Sequence, residues 1–483
     1  MRREIFDTSK HIKTDIWPRA EIQRQIDAMG TSPDTRIDKC VLVLEHDEHL
    51  AGVYLDTMAG REVLPSAPWR GAEHRNSFWT DDDSKLFAKY CSETYRFRPS
   101  VGAVDEALRS VTYDARAGRM VSPWRAYLED RRGTWDGQCR FDDLPHRILG
   151  IPKGAYSRAV HQCWLIGAVK RAFEPGEKVD AVLTYYGPQG TGKSSFLALL
   201  PPDDGLYADL DFSRFSRAKD VGEDLQGKAI IELGEMRGLR KVSQGDAKSG
   251  LTRQKDTYRD AYGKRSEDHL RGCVFACTVN PKDDCGFLTD TTGNRRYLPV
   301  EVPGCGRTYD QIKDIMDAER DQIWAEAVMY YDMGAKPILS PEIEAQAEAL
   351  RQELLDVDHD MADSIKDYLA MPLSCVQRQW YESKDLSAMR TEWRNWRRMD
   401  DQTRQKLLPA ADKLDGQKRY PREWSCVSEI WQVALGNDKE PDRRDAQQIT
   451  QLFAAGQIAG WTYDRKGCKV CGDWGRKPPI IQA

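Results

Sequence analysis

The sequence lacks any apolar run approaching the roughly 20 residues that a membrane-spanning helix requires, so no membrane partner is expected. Its opening stretch, MRREIFDTSKHIKTD, carries charge but no apolar core of the kind a secretory leader has, so no signal peptide is expected. There is no internal repeat and no low-complexity tract, which excludes a solenoid or a linker-dominated chain. An excess of positive charge is missing too. The 72 Lys and Arg stand against 77 Asp and Glu, a formal net charge of −5. A uniformly basic nucleic-acid coat is excluded, and any contact with DNA must come from a local patch or from an oligomer that gathers a few basic residues. The 12 cysteines are scattered, and Cys163, Cys273 and Cys277 sit in apolar segments. That pattern fits reduced thiols in a cytoplasmic protein, not a disulfide framework. Cys468-Lys-Val-Cys471 is a lone pair. Structural zinc needs four ligands, His359 and Cys426 are distant in sequence, and two free thiols are the expectation.

What the sequence does contain is residues 179–200, VDAVLTYYGPQGTGKSSFLALL. Val179, Ala181, Val182, Leu183 and Tyr185 make a short run of strand formers. Gly187, Pro188, Gln189, Gly190, Thr191, Gly192, Lys193, Ser194 and Ser195 follow, and then Phe196, Leu197, Leu199 and Leu200 at helical spacing. Strand, glycine-rich loop and helix stand in the order a P-loop requires. The three glycines let backbone N–H groups turn inward toward phosphates. Lys193 is placed for the β- and γ-phosphates and Ser194 for Mg²⁺, and the helix opening at Lys193 adds its positive end. ATP and Mg²⁺ are therefore the expected cofactors.

Roughly forty residues on, the run Lys228-Ala-Ile-Ile-Glu232-Leu-Gly-Glu235 reads as an apolar strand ending in an acid, which a Mg²⁺·ATP site needs. Glu232 is favoured for the metal and Glu235 for orienting the attacking water, with their roles left open. Residues 272–279 form a second apolar strand ending in Asn280. Arg295 and Arg296 follow a Gly-Asn turn and lead into another strand; two adjacent arginines there suit an anion. Residues 249–271 are dense in Lys, Arg and Tyr and can be drawn as a hairpin with Gly263-Lys264-Arg265 at its tip. Lys264 and Arg265 could grip phosphates, and Tyr258 and Tyr262 could stack or pack; a solvated charged loop is an equal alternative.

The flanks are less informative. Residues 19–29 read as a helix, 41–44 as strand or helix, and 54–64 as a hairpin about Ala59-Gly60. Thr80 is a candidate N-cap for a helix with Leu86, Phe87, Tyr90 and Cys91 on one face. A second short helix over 101–111 completes a small α+β module of winged-helix flavour. A long helix is expected at 157–173, residues 205–215 as a crossover, and a helix pair at 311–331. Residues 378–422 interleave Trp380, Trp393 and Trp396 with Arg394, Arg397 and Arg398. Nucleic-acid binding and an Arg-rich packed helix are both compatible with that pattern. Residues 428–435, 444–455 and 458–463 read as helix, helix and strand, with Trp461 as a core anchor.

Leu225-Gln-Gly-Lys-Ala-Ile-Ile-Glu232-Leu-Gly-Glu235, Leu251-Thr-Arg253-Gln-Lys-Asp256-Thr-Tyr258-Arg259 with Tyr262-Gly263, and Thr278-Val-Asn280 before Thr292-Gly-Asn294-Arg295-Arg296 resemble the virulence-associated E (VapE/VirE) family of phage, prophage and satellite P-loop ATPases. Thr134-Trp135-Asp136-Gly137, Glu429-Ile-Trp431 and Ala434-Leu435-Gly436 are similar as well. The resemblance is specific over 135–302 and weaker over 69–474. It implies a superfamily 3 helicase of the AAA+ class: a hexameric ring with ATP between subunits and DNA in the channel. It implies Lys193 and Ser194 on ATP and Mg²⁺, Asn280 as sensor, and Arg295 or Arg296 as a finger acting in trans. Lys255, Arg259, Lys264 and Arg265 would face DNA. Leu233 stands where many relatives have a second acid, which leaves the base open. Many phage relatives carry a primase domain; the segment before Trp135 is too short for one, so no primase activity is expected.

The expected fold is α/β: an AAA+-like P-loop core over 134–335, after a small α+β module over 1–133. A helical basic, Trp-rich region over 336–425 and a small winged-helix-like module over 426–483 follow. The expected function is an ATP-driven DNA helicase or translocase of phage or mobile-element type, acting in DNA replication in the bacterial cytoplasm. Its expected partners are single-stranded or forked DNA, copies of itself and host or phage replication proteins. The alternative is a nucleotide-switched DNA-binding initiator or recruitment protein without processive unwinding.

Overall fold

The computed structural model describes residues 9–71, 76–114, 116, 118–211, 214, 218–234, 249–258, 266–280, 294–354, 359–400, 402–404, 420–454 and 456–482. The chain divides into two compact units, 1–281 with 295–349 and 282–294 with 350–483.

The first unit opens with helices α1 (Arg19–Ala28) and α2 (Arg36–His46). The apolar run at 41–44 is helical, because Cys40, Val43 and Leu44 fall on one face and are buried there. Strands β1 (Tyr54–Asp56) and β2 (Arg61–Leu64) form the expected hairpin, with Gly60 at positive φ in its turn. Strand β3 (Ser77–Phe78), helices α3 (Asp81–Tyr95) and α4 (Val101–Thr112), and strand β4 (Met120–Val121) follow; the sheet order is β3-β2-β1-β4. Thr80 and Asp83 close a reciprocal capping box at the start of α3. Burial works to raise the Asp83 pKa, but hydrogen bonds from Arg70, Thr80 and Trp69 outweigh it and hold the carboxyl at about 2.

Helices α5 (Pro123–Arg131), α6 (Asp143–Leu149) and α7 (Ala155–Phe173) lead into the α/β core. Its elements are β5 (Val182–Tyr186), α8 (Lys193–Leu199), β6 (Tyr207–Asp211), α9 (Ala218–Leu225), β7 (Ile230–Gly234), β8 (Lys255–Tyr258), β9 (Glu267–Leu270), β10 (Val274–Val279), β11 (Tyr297–Glu301) and α10 (Tyr309–Asp332). Five of the strands make one parallel sheet in the order β11-β5-β10-β7-β6. In-register neighbours share a face, so Leu183, Tyr185, Ile230, Val274, Ala276, Leu298 and Val300 form one apolar surface. Helices α7, α8 and α10 pack on it around Trp164, Phe196 and Trp324. Buried indoles need a partner. Trp164 donates to the Phe275 carbonyl at 2.7 Å and Trp324 to the Leu200 carbonyl at 2.8 Å. Pro299, which cannot donate to a ladder, sits in β11 at the sheet edge.

Two expectations are corrected here. Residues 205–215 are not merely a crossover, since β6 is the outermost strand of the sheet. Its five residues are too short and too polar for periodicity to register. Residues 311–331 are not a helix pair but part of one 24-residue helix, α10, started by a Thr308–Gln311 capping box. No glycine or proline interrupts it before Gly334.

In the second unit, helices His359–Ala370, Gln377–Ser383 and Leu386–Arg397 precede a three-stranded antiparallel sheet of Trp424–Cys426, Pro479–Gln482 and Trp461–Tyr463. Trp380, Trp393 and Trp396 are buried, so these three tryptophans are packed core, whereas Arg394, Arg397 and Arg398 are exposed. Trp461 is only half-buried and does not serve as the expected core anchor. Cys468 is exposed, whereas Cys471 is buried with its thiol beside that of Cys426.

Candidate active site

The strand order creates the site. From β5 the chain leaves for β6 at the far edge of the sheet; from the adjacent β10 it leaves for β11 on the opposite side of β5. Connections that diverge from neighbouring carboxyl ends open a crevice between them, the usual ligand position in parallel sheets. Residues 187–192 follow β5 into that crevice and Asn280 follows β10.

Glycine is required at two points of this loop. At Gly187 (φ +149°) a Cβ would lie 2.2 Å from the Val302 carbonyl oxygen, and at Gly192 (φ +87°) it would lie 2.7 Å from Ile312 Cδ1. Pro188, Gln189 and Gly190 are exposed, Ser195 is half-buried, and Lys193 is 6% exposed. The Lys193 ammonium donates to the carbonyls of Gly187 (2.9 Å) and Pro188 (2.7 Å), to Thr191 Oγ1 (3.3 Å) and to Asn280 Oδ1 (2.9 Å). Burial pushes its pKa down, against the charge of Glu232.

Glu232 is 1% exposed on β7. Its Oε1 accepts from Ser194 Oγ at 2.6 Å and from Thr278 Oγ1, and its Oε2 accepts from the Tyr207 hydroxyl. Burial and then the Glu232 charge push the Tyr207 pKa up, so the phenol stays a neutral donor. Asp209, in register beside Glu232, is also pushed up by burial and then by that charge. Its Oδ1 lies 3.1 Å from where a Cβ on residue 234 would stand. The crevice thus brings together the Lys193 ammonium, the Ser194 hydroxyl and the Glu232 carboxylate. Hard oxygen donors of this kind suit Mg²⁺ shared with ligand phosphates. Among the described residues no group of three or more His, Cys, Asp or Glu converges as a metal site.

The family model of the virulence-associated protein E-like domain matches residues 128–356. No curated protein matches it in sequence. Among solved structures, an apo form of the NrS-1 C terminal region (residues 305–718 in its own chain) is 13% identical, with 89% of this chain and 96% of that chain covered and a TM-score of 0.44. JCV helicase is 12% identical, with 73% and 97% covered and a TM-score of 0.26.

Within residues 128–356 the remaining expected residues separate in space. Arg295 and Arg296 precede β11, whose first residue, Tyr297, pairs with Val182 at the start of β5. They stand at the amino edge of the sheet. Five residues of strand, about 17 Å, separate them from the Gly187 loop of the same chain. Strands β8 and β9 form the basic segment's hairpin, ahead of the amino end of β10. Its base is held by buried Arg271, paired to both Asp256 oxygens at 2.6 and 2.9 Å. Lys255 is paired with Asp268 at 2.5 Å on the hairpin surface. Tyr258 is 4% exposed and stacks on His269 at 4.0 Å, so of the two roles open to it, it packs. Arg259, Lys264, Arg265 and Glu235 lie outside the described residues. Tyr207, Thr278 and Asp209 are site residues the sequence did not reveal. Their identities carry no motif, and only β6 and β10 flanking β7 bring them to Glu232.

Proposed function

We propose that this chain is an ATP-driven DNA helicase or translocase of phage or mobile-element type, working as a ring in DNA replication. The observation that carries the reading is the convergence of Lys193, Ser194, Glu232 and Asn280 at one crevice beside a glycine-rich loop. In this reading the exposed loop N–H groups and Lys193 take the phosphates of ATP, with Lys193 exchanging its carbonyl partners for phosphate oxygens. Ser194 and Glu232 hold Mg²⁺, which supplies charge neutralisation between β- and γ-phosphates. Asn280, already bonded to Lys193, reports the state of the γ-phosphate. Asp209 joins Glu235 as a candidate to orient the attacking water.

The separation of Arg295 and Arg296 from the loop of their own chain supports action in trans on a neighbouring subunit, and that requires an oligomer. Lys264 and Arg265, which lie in sequence between β8 and β9, are the DNA contacts in this reading. An initiator without unwinding would use the Trp- and Arg-rich region as its main binding surface, and burial of Trp380, Trp393 and Trp396 removes the aromatic half of that surface.

The test is ATP hydrolysis by the full chain with and without single-stranded DNA, alongside Lys193→Ala. DNA-stimulated turnover that is lost in the variant supports the motor. Turnover indifferent to DNA moves the nucleotide-switched initiator forward. Arg295→Ala and Arg296→Ala, each mixed with Lys193→Ala, test the trans finger: a finger in trans lets such a mixture regain turnover that neither variant has alone.

A further inference from the structure

Both Glu232 oxygens are engaged, by three hydroxyls from three different elements. The three differ in kind. Ser194 lies on the exposed first turn of α8 and, in the nucleotide reading, is itself a ligand of the cation, so its bond to Glu232 yields when the ion enters. Tyr207 and Thr278 belong to strands β6 and β10 that clamp β7 from either side, and their bonds have no reason to yield. Thr278 shares Oε1 with Ser194, whereas Tyr207 holds Oε2. The terminal torsion of a glutamate is broad, so a carboxylate gripped at one oxygen alone is free to turn about that contact. Gripping the far oxygen as well sets its plane.

We propose that Tyr207 is a positioning residue of the nucleotide site, its hydroxyl fixing the Glu232 carboxylate so that Oε1 faces Ser194 and the divalent cation. The inference rests on the ATP–Mg²⁺ reading above. The reach follows from register: Tyr207 pairs with Ile230, and its ring runs along the shared face to the residue two further on. The ring itself packs at the margin of the apolar core, so Tyr207→Phe removes the donor and keeps the packing.

The experiment is Mn²⁺ binding to the full chain with a non-hydrolysable ATP analogue, followed by electron paramagnetic resonance. Tyr207→Phe is expected to raise the Mn²⁺ midpoint by about tenfold to a hundredfold, the usual effect of losing a partner of a metal ligand. Affinity for the analogue without metal stays unchanged. Thr278→Val, which removes the other strand hydroxyl, shifts the midpoint in the same direction and gives an independent reading should the first variant fold poorly. Tyr156→Phe is the control. It removes a hydroxyl bonded to the Pro299 carbonyl at 2.7 Å, away from Glu232, and leaves the midpoint in place. An unchanged midpoint in Tyr207→Phe, or a shift matched by Tyr156→Phe, overturns the inference while the nucleotide reading stands. Wild-type protein that binds no Mn²⁺ with the analogue overturns both.

Discussion

Two buried glutamates, one in each unit, are surrounded by hydroxyls and differ in one respect. Glu429 is 0% exposed and accepts from Tyr368, Trp380, Tyr381, Ser425 and the guanidinium of Arg422, itself 3% exposed. Among the described residues Glu232 accepts only from hydroxyls, and one of them belongs to an exposed serine beside an open loop. A buried carboxylate with its own cation and aromatic walls is complete as it stands, and its role is to join elements. A buried carboxylate without a bonded cation leaves charge uncompensated, and it suits a site where a cation arrives with a ligand.

The largest effect that could break this comparison is on stability in the second unit. Glu429→Gln strands Arg422 in a buried setting and should destabilise by about 3–5 kcal/mol. Glu232→Gln, which strands no bonded cation, should cost about 1 kcal/mol. Urea unfolding of both variants decides the matter; equal losses would erase the distinction. Activity should divide the other way. Lys193→Ala and Glu232→Gln should each lower ATP turnover by about 10²–10³-fold, with Glu429 variants compared only at temperatures where they remain folded.

A third prediction concerns pH. His161 lies beneath the loop strand, its Nε2 2.8 Å from the Tyr185 hydroxyl, and burial pushes its pKa from 6.5 down to about 4. Between those values the unfolded chain binds more protons than the folded one, so stability rises with pH across the window and is lost as pH falls through it. The loss reaches at most about 3 kcal/mol. Urea midpoints between pH 7 and 4, with His161→Gln flattening the curve, check it. The smallest effect is at the hairpin. Lys255→Ala breaks an exposed pair with Asp268 and should change stability by no more than about 0.5 kcal/mol. A larger loss would mean the hairpin is braced at its surface and not by buried Arg271 and Asp256.

Local features were legible from the residues alone. Glycine spacing, Lys193 and Ser194, the Thr80 cap and the apolar stripe of α7 each depend on neighbours within a turn or two of chain, and each lies where the sequence puts it. Glu232 was legible as the acid that closes an apolar run, which is a local pattern, but it stands mid-strand in β7 and not at the strand end, because Leu233 and Gly234 continue the pairing. Its environment was not legible. Tyr207 and Thr278 are 25 and 46 residues from it, and a parallel sheet joins strands only through long crossovers, so no spacing along the chain announces which strand lies beside which. The same holds for the arginines. Their basic pairing is local, but that Arg295 and Arg296 stand at the sheet edge opposite the loop follows from β11 pairing parallel to β5. The residue types of the glycine-rich loop were determined by the sequence itself. Strand order decided which carboxylate, which hydroxyls and which edge each residue meets, because that order is set by burying both faces of one sheet together and not by any segment alone.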